Sequence, residues 1–132
     1  MIRLAIPSIE LQKAVFTALS KSGHAVYETA PPNTVMPYIT IGEEILTHSN
    51  TKTSIRTVHN ITIHTWSKGS SSKESKELNE FVMQTILNGF VVSGFDVDMA
   101  TLEMLTTVKE QATDGTIFHG VIQFEIILTV KG

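Results

Sequence analysis

The feature that most constrains this chain is an alternation near its carboxy terminus. Phe118, Gly120, Ile122, Phe124, Ile126, Leu128 and Val130 take every second position, while His119, Gln123, Glu125, Thr129 and Lys131 fill most of the places between. Successive side chains of a strand point to opposite faces, so this period of two spells one core face and one exposed or partner-facing face. Asp114-Gly115 stands just before it. That dipeptide favours a type I′ turn and predicts an antiparallel partner over roughly Leu102 to Glu110.

A second strand is expected from Ser54 to Trp66, where β-branched residues are dense. Ile55, Thr57, His59, Ile61, Ile63 and Thr65 share one side; Arg56, Val58, Asn60, Thr62, His64 and Trp66 share the other. A shorter one is expected from Tyr38 to Gly42, after the turn-rich Ala30 to Thr34, with Pro37 opposing a helix there.

Two segments carry a helical period instead. From about Ser8 to Lys21, Leu11, Val15, Ala18 and Leu19 form one stripe, with Ser8 placed to cap and Gly23 placed to close. Further on, Ser71 and Glu74 have capping-box spacing, and Leu78, Phe81, Val82, Thr85 and Ile86 repeat on one face until Asn88-Gly89. Lys73, Lys76, Glu77 and Glu80 form the wet face.

The order is helix, one or two strands, long strand, helix, short apolar link, hairpin. Helices interrupt runs of strands rather than alternating with them, which favours an α+β fold. The expectation is two helices packed on one face of a mostly antiparallel sheet of about four to five strands, with a carboxy-terminal β-hairpin. A single domain over residues 1–132 is expected, with a mobile polar loop or hairpin tip at about Thr47 to Thr53.

Composition narrows the function classes. With 132 residues, 42% of them apolar, the chain can bury roughly two-thirds of its unfolded surface without a disulfide or metal. It has no cysteine, which removes thiol nucleophiles, thiolate zinc sites and disulfides. Apolar runs are too short for a secretory signal core or a bilayer span, so a soluble intracellular chain is expected. Ten basic residues are spread almost singly against thirteen acidic ones, for a net charge of −3. Phosphate-driven DNA binding needs clustered Lys and Arg, so sequence-independent binding is disfavoured.

A search for chemistry finds little. His59 and His64 are five apart on one strand and hence on opposite faces, while His24, His48 and His119 sit elsewhere. No metal is expected, and these read as surface or rim histidines. Glu43-Glu44 at a strand end and the Asp96/Asp98 pair have no nearby nucleophile or glycine-rich loop. Lys68 to Ser72 lacks the paired glycines and trailing lysine of a phosphate loop. Trp66, the sole tryptophan, is either a core-edge aromatic or a partner anchor. No catalytic residue, cofactor or small-ligand pocket is expected.

The order and spacing of the pieces carry more than any single motif. After the first helix come Ala25-Val26-Tyr27-Glu28, Pro31-Pro32 and Pro37-Tyr38-Ile39-Thr40-Ile41-Gly42. Then follow Ile63-His64-Thr65-Trp66-Ser67, a Ser-rich turn, the second helix, and Asp114-Gly115-Thr116-Ile117-Phe118-His119-Gly120-Val121-Ile122-Gln123-Phe124. From about Leu11 to Val130 this resembles the tail-completion, or tail-to-head joining, proteins of long-tailed bacteriophages and prophages. Thr47 to Thr53 and Val92 to Glu103 match no motif of that family.

The resemblance implies a structural, non-enzymatic virion protein related to tail terminators. It would act as a ring, typically of six subunits on assembly, between the tail tube and the head connector. A monomer in isolation stays open. The implied partners are further copies of itself, the major tail tube protein and the head-tail connector protein, with no membrane and no specific nucleic acid. DNA would pass through the ring, and an acidic chain would let it slide. The implied location is the virion at the head-tail interface, with the bacterial host cytoplasm during assembly. Ring contacts are heterologous, and mobile segments suit them, here Thr47 to Thr53 and Lys109 to Thr113. Glu43, Glu44, Lys52, Lys109 and Glu110 are the candidate interface charges. The alternatives are a head-side connector or other minor tail protein of similar fold, and, from another class, a small-ligand-binding or enzymatic α+β domain.

Overall fold

The computed structural model describes residues 6–131. Its elements run α1 (Pro7–Ser20), β1 (Val26–Tyr27), β2 (Tyr38–His48), β3 (Arg56–Gly69), α2 (Lys73–Leu87), β4 (Phe95–Ala112) and β5 (Gly115–Val130). One five-stranded sheet has the order β1-β2-β3-β5-β4. β1 runs parallel to β2, and every other pairing is antiparallel. This is the α+β class that the periodicities predict.

The apolar alternations set the core. Ile61 and Ile63 of β3 and Ile122, Phe124, Ile126 and Leu128 of β5 are buried with Leu11, Val15 and Leu19 of α1 and Leu78, Val82 and Ile86 of α2. Both helices therefore cover one face of the sheet. Each such side chain, moved fully out of water, contributes about 1.5–3 kcal/mol. The link between α2 and β4 supplies Val92, also buried, which bridges to Phe95. Gly23 and Gly89 take positive φ just past the helix ends, as a closing glycine does.

Both helix starts differ from expectation. α1 begins at Pro7, with Ile6 at the cap and no side-chain cap bond, because proline's fixed φ suits the first turn; Ser8 lies inside the helix. α2 is capped at Ser72, also without a side-chain cap bond. The expected Ser71/Glu74 box does not form, since the Glu74 carboxylate instead accepts a hydrogen bond from Ser67 Oγ at 2.6 Å.

The strands are longer than the sequence pattern shows. β2 continues six residues past Gly42, so Glu43 and Glu44 lie in mid-strand rather than at an end. Thr47 and His48 pair with Val58 and Thr57, leaving residues 49–55 as the hairpin tip, with exposed Ile55 outside β3. β4 begins at Phe95, well before Leu102, and Lys109 to Ala112 are strand, not loop. The closing turn is Thr113-Asp114, with Gly115 already paired to Ala112. Among the described residues Asn33 is the one non-glycine with positive φ, so this turn is not type I′; β-branched Thr113 resists that conformation.

The core face also holds polar groups that were not expected there. Thr57, His59, Thr65, Ser67, Ser75 and Asn79 are all buried. His59 is no rim histidine: its Nδ1 lies 2.5 Å from Glu44 Oε2 and its Nε2 lies 2.8 Å from Thr57 Oγ1. With the proton on Nδ1, the ring donates to Glu44 and accepts from Thr57, and both nitrogens are satisfied.

Candidate functional site: the open face of the sheet

Among the described residues no helix covers the other face. Even-numbered residues of β3 and odd-numbered residues of β5 point there and are mostly half-buried by their neighbours alone. A row of rings crosses this face. Tyr38 stacks near Trp66 with centroids 6.0 Å apart, and Trp66 stacks on His119 at 3.8 Å and 10°. Trp66 Nε1 donates to Thr40 Oγ1 at 3.2 Å.

His64 completes the row. Its Nδ1 is 2.7 Å from His119 Nε2, and its Nε2 is 3.3 Å from Glu43 Oε1. The tautomers that satisfy this chain have His119 Nε2–H donating to His64 Nδ1 and His64 Nε2–H donating to the carboxylate. Burial first, then the neighbouring His64, hold the His119 imidazole below its ordinary value, while Glu110 and Glu43 pull it back up. Gly42 makes the packing possible, because a Cβ there would lie 2.7 Å from the His64 ring. Tyr38 is pushed up, by burial and then by Tyr27.

Three β-bulges shape the rest of the face. β2 slips between Ile41 and Glu44, and β4 slips between Val97 and Met99 and again between Leu102 and Met104. A bulge adds a residue that the partner strand does not match and re-aims its side chain. The bulged segments carry Glu43, Asp98 and Glu103. Glu43 meets His64, as above. Asp98 accepts a hydrogen bond from the Thr129 hydroxyl and lies 3.9 Å from Arg56 Nε. Glu43 and Glu103 line opposite sides of a trough of about 400 Å³, with Asn60, Thr62, Gln123 and Ile45 between them.

The candidate interface charges are thus dispersed. Glu43 is on the open face, and Glu110 acts on the histidine pair from β4. Glu44 turns inward to His59. Lys109 lies on the helix side, 6.0 Å over the Phe118 ring, and Lys52 is exposed in the β2–β3 tip. The sequence does not mark His64, His119 and Glu103 as a site, because nothing in it aligns positions 55 residues apart; cross-strand register does. Among the described residues no three metal-capable side chains converge. No helix among them is long and apolar enough to cross a membrane.

Fold and face together define a small α+β domain whose distinctive surface is an uncovered, mostly antiparallel sheet. The sequence profile described as tail completion protein gp17 matches residues 11–129. The chain belongs to this family of structural proteins of bacteriophage tails, which is not known for enzymes. No curated protein matches it in sequence. Among solved structures, a chain of the virion of a native gene transfer agent particle is similar in fold. Its TM-score is 0.76 at 20% identity, covering 90% of this chain and 94% of that one.

Proposed function

We propose that this chain completes the tail by capping the tail tube and joining it to the head connector as a ring, six subunits on assembly. The observation that carries the proposal is the family match over residues 11–129, on a fold shared with a component of a phage-like virion. Each subunit serves as one domain. Its partners are neighbouring copies, the major tail tube protein and the head-tail connector protein, and the ring assembles in the host cytoplasm before residing in the virion.

The structure supplies suitable contact material. β4 is an edge strand of 18 residues, and its distal part is exposed, including Met104, Leu105 and Val108. Edge strands with free N–H and C=O groups readily take up another chain. Glu43, Lys52, Lys109 and Glu110 are proposed as register-setting charges, and Glu44 as one that supports them from within. The net charge of −3 suits a ring that DNA crosses without sticking.

The test mixes purified protein with tail tubes and with connectors, and follows mass in solution and negative-stain images. Rings at tube ends are expected. A chain that binds neither tubes nor connectors refutes the joining role.

A further inference from the structure

Two bulges in different strands are aligned on the same row of the open face. The β2 bulge, carrying Gly42 and Glu43, falls opposite Thr62, because Ile41 pairs with Ile63 and Glu44 with Ile61. The β4 bulge, carrying Glu103, falls beside Gln123, because Leu102 pairs with Phe124 and Met104 with Gln123. Thr62 and Gln123 are themselves direct cross-strand partners. Glu43, Thr62, Gln123 and Glu103 therefore stand in one line across four strands, a carboxylate at each end and neutral polar groups between.

This line is the floor and walls of the 400 Å³ trough, whose other lining includes the Asn60 amide and the apolar Ile45 side chain. The Glu43 side chain is 74% exposed. Glu103 forms no ion pair among the described residues. Thr62 is only 7% exposed, lines the trough and pairs with no side chain among them. Its hydroxyl is therefore held in place by its neighbours while it faces the trough. Among the described residues no basic side chain lines the trough.

We infer that this trough receives an arginine side chain presented by a different protein of the virion. A guanidinium is planar, always charged and carries five N–H donors in a fixed fork. The trough offers matching acceptors on three sides: carboxylates at both ends, and the Thr62 hydroxyl with the Asn60 and Gln123 amide oxygens along the floor. Ile45 offers apolar surface for the aliphatic stem. A compact ammonium reaches one wall at a time, and a bare divalent ion needs converging oxygens that two separated carboxylates do not supply.

Elsewhere on this face a bulge carboxylate already lies near an arginine: Asp98, on the third bulge, is 3.9 Å from Arg56 Nε. The chain has two arginines, Arg3 and Arg56, and Arg56 lies beside Asp98 and outside the trough lining, so a different protein is the proposed donor and Arg3 of a second copy is the alternative that the experiment tests.

The inference rests on the joining role for its partner but not for its chemistry, and the experiment separates the two. ¹H–¹⁵N spectra of the full chain are titrated with N-acetyl-arginine amide and, at matched ionic strength, N-acetyl-lysine amide. Shifts are expected at the amides of Glu43, Thr62, Glu103 and Gln123, with arginine at least several-fold tighter than lysine. Glu43→Gln with Glu103→Gln is expected to weaken arginine binding more than tenfold while thermal melts stay unchanged, since both side chains are on the surface. Equal shifts with lysine, shifts scattered over all carboxylates, or unweakened binding in the double variant would each overturn the site. So would self-association abolished by the same double variant and by Arg3→Gln, because the donor would then be a second copy. If the wild-type chain never joins tubes, the joining role falls while the titration still decides the trough. If it joins and the double variant joins equally well, the partner contact falls and the joining role stands.

Discussion

His64 Nδ1 and His119 Nε2 lie 2.7 Å apart, joining β3 to β5 on the open face, with Trp66 stacked on His119 at 3.8 Å. One hydrogen bond between two imidazoles requires one of the facing nitrogens to stay unprotonated. Two positive rings at this distance repel, and Glu43 and Glu110 offset that only in part.

This arrangement sets a pH dependence. Because the folded His119 value lies below 6.5, the unfolded chain binds more protons as pH falls through that range, so stability is fully present above about 6.5 and declines below it. Thermal melts are expected to show a lower midpoint at pH 5 than at pH 7.5. Trp66, the sole tryptophan, reports the same window by fluorescence. His119→Gln should flatten both dependences, and an unaltered pH slope in that variant would refute the assignment.

Gly120 is held by its surroundings. A Cβ at this position would collide with Thr65 Oγ1 and Asn79 Oδ1, which hydrogen-bond to each other at 2.5 Å under α2. Gly120→Ala is expected to cost about 1–3 kcal/mol through forced displacement of that pair. Urea unfolding measures it, and a change under about 0.5 kcal/mol, the range of ordinary surface changes, would show that the network moves freely.

His59 is buried and depends on Glu44 and Thr57. Glu44→Ala leaves the Nδ1–H without an acceptor and should destabilise by about 1–3 kcal/mol. The same denaturation series checks this, with Glu43→Ala as the neighbour whose exposed carboxylate should cost under about 0.5 kcal/mol.

Phe124 is fully buried at the centre of β5. Phe124→Ala should cost about 3–5 kcal/mol, most of what a domain of this size has to spare. Val108→Ala, on the exposed edge strand, should leave the melting temperature almost unchanged and reduce tail joining if that edge is a contact.

Reversing Lys52 and Lys109 to Glu tests the charge-register proposal. Both side chains sit on the surface, so stability should change by less than about 0.5 kcal/mol each. Joining measured by infectious particles formed in complementation is expected to fall, and an unchanged yield would remove these two residues from the interface.

Periodicity settled the two helices and the long strands β3 and β5, and which face of each is apolar. The stripes Leu11/Val15/Leu19 and Leu78/Val82/Ile86 and the alternation from Phe118 to Leu128 needed no tertiary information, because burial of an apolar face follows directly from a local repeat. The family resemblance was likewise carried by the order of short motifs. Caps were less legible: Ser8 and Ser71 have the right chemistry, but Pro7 and the Ser67–Glu74 bond decided the outcome.

The open face was decided by tertiary structure alone. Residues 43, 62, 103 and 123 share a row only because two bulges shift the register of β2 and β4 by the amounts that bring them level. His64 meets His119 only because β3 and β5 pair as they do. A one-residue slip in an antiparallel pair reverses every side chain's face, so such neighbours are properties of the assembled sheet and not of any segment in it. Glu43 and Glu44, adjacent in the chain, show the same division: the bulge sends one to the open face and the other to the buried His59.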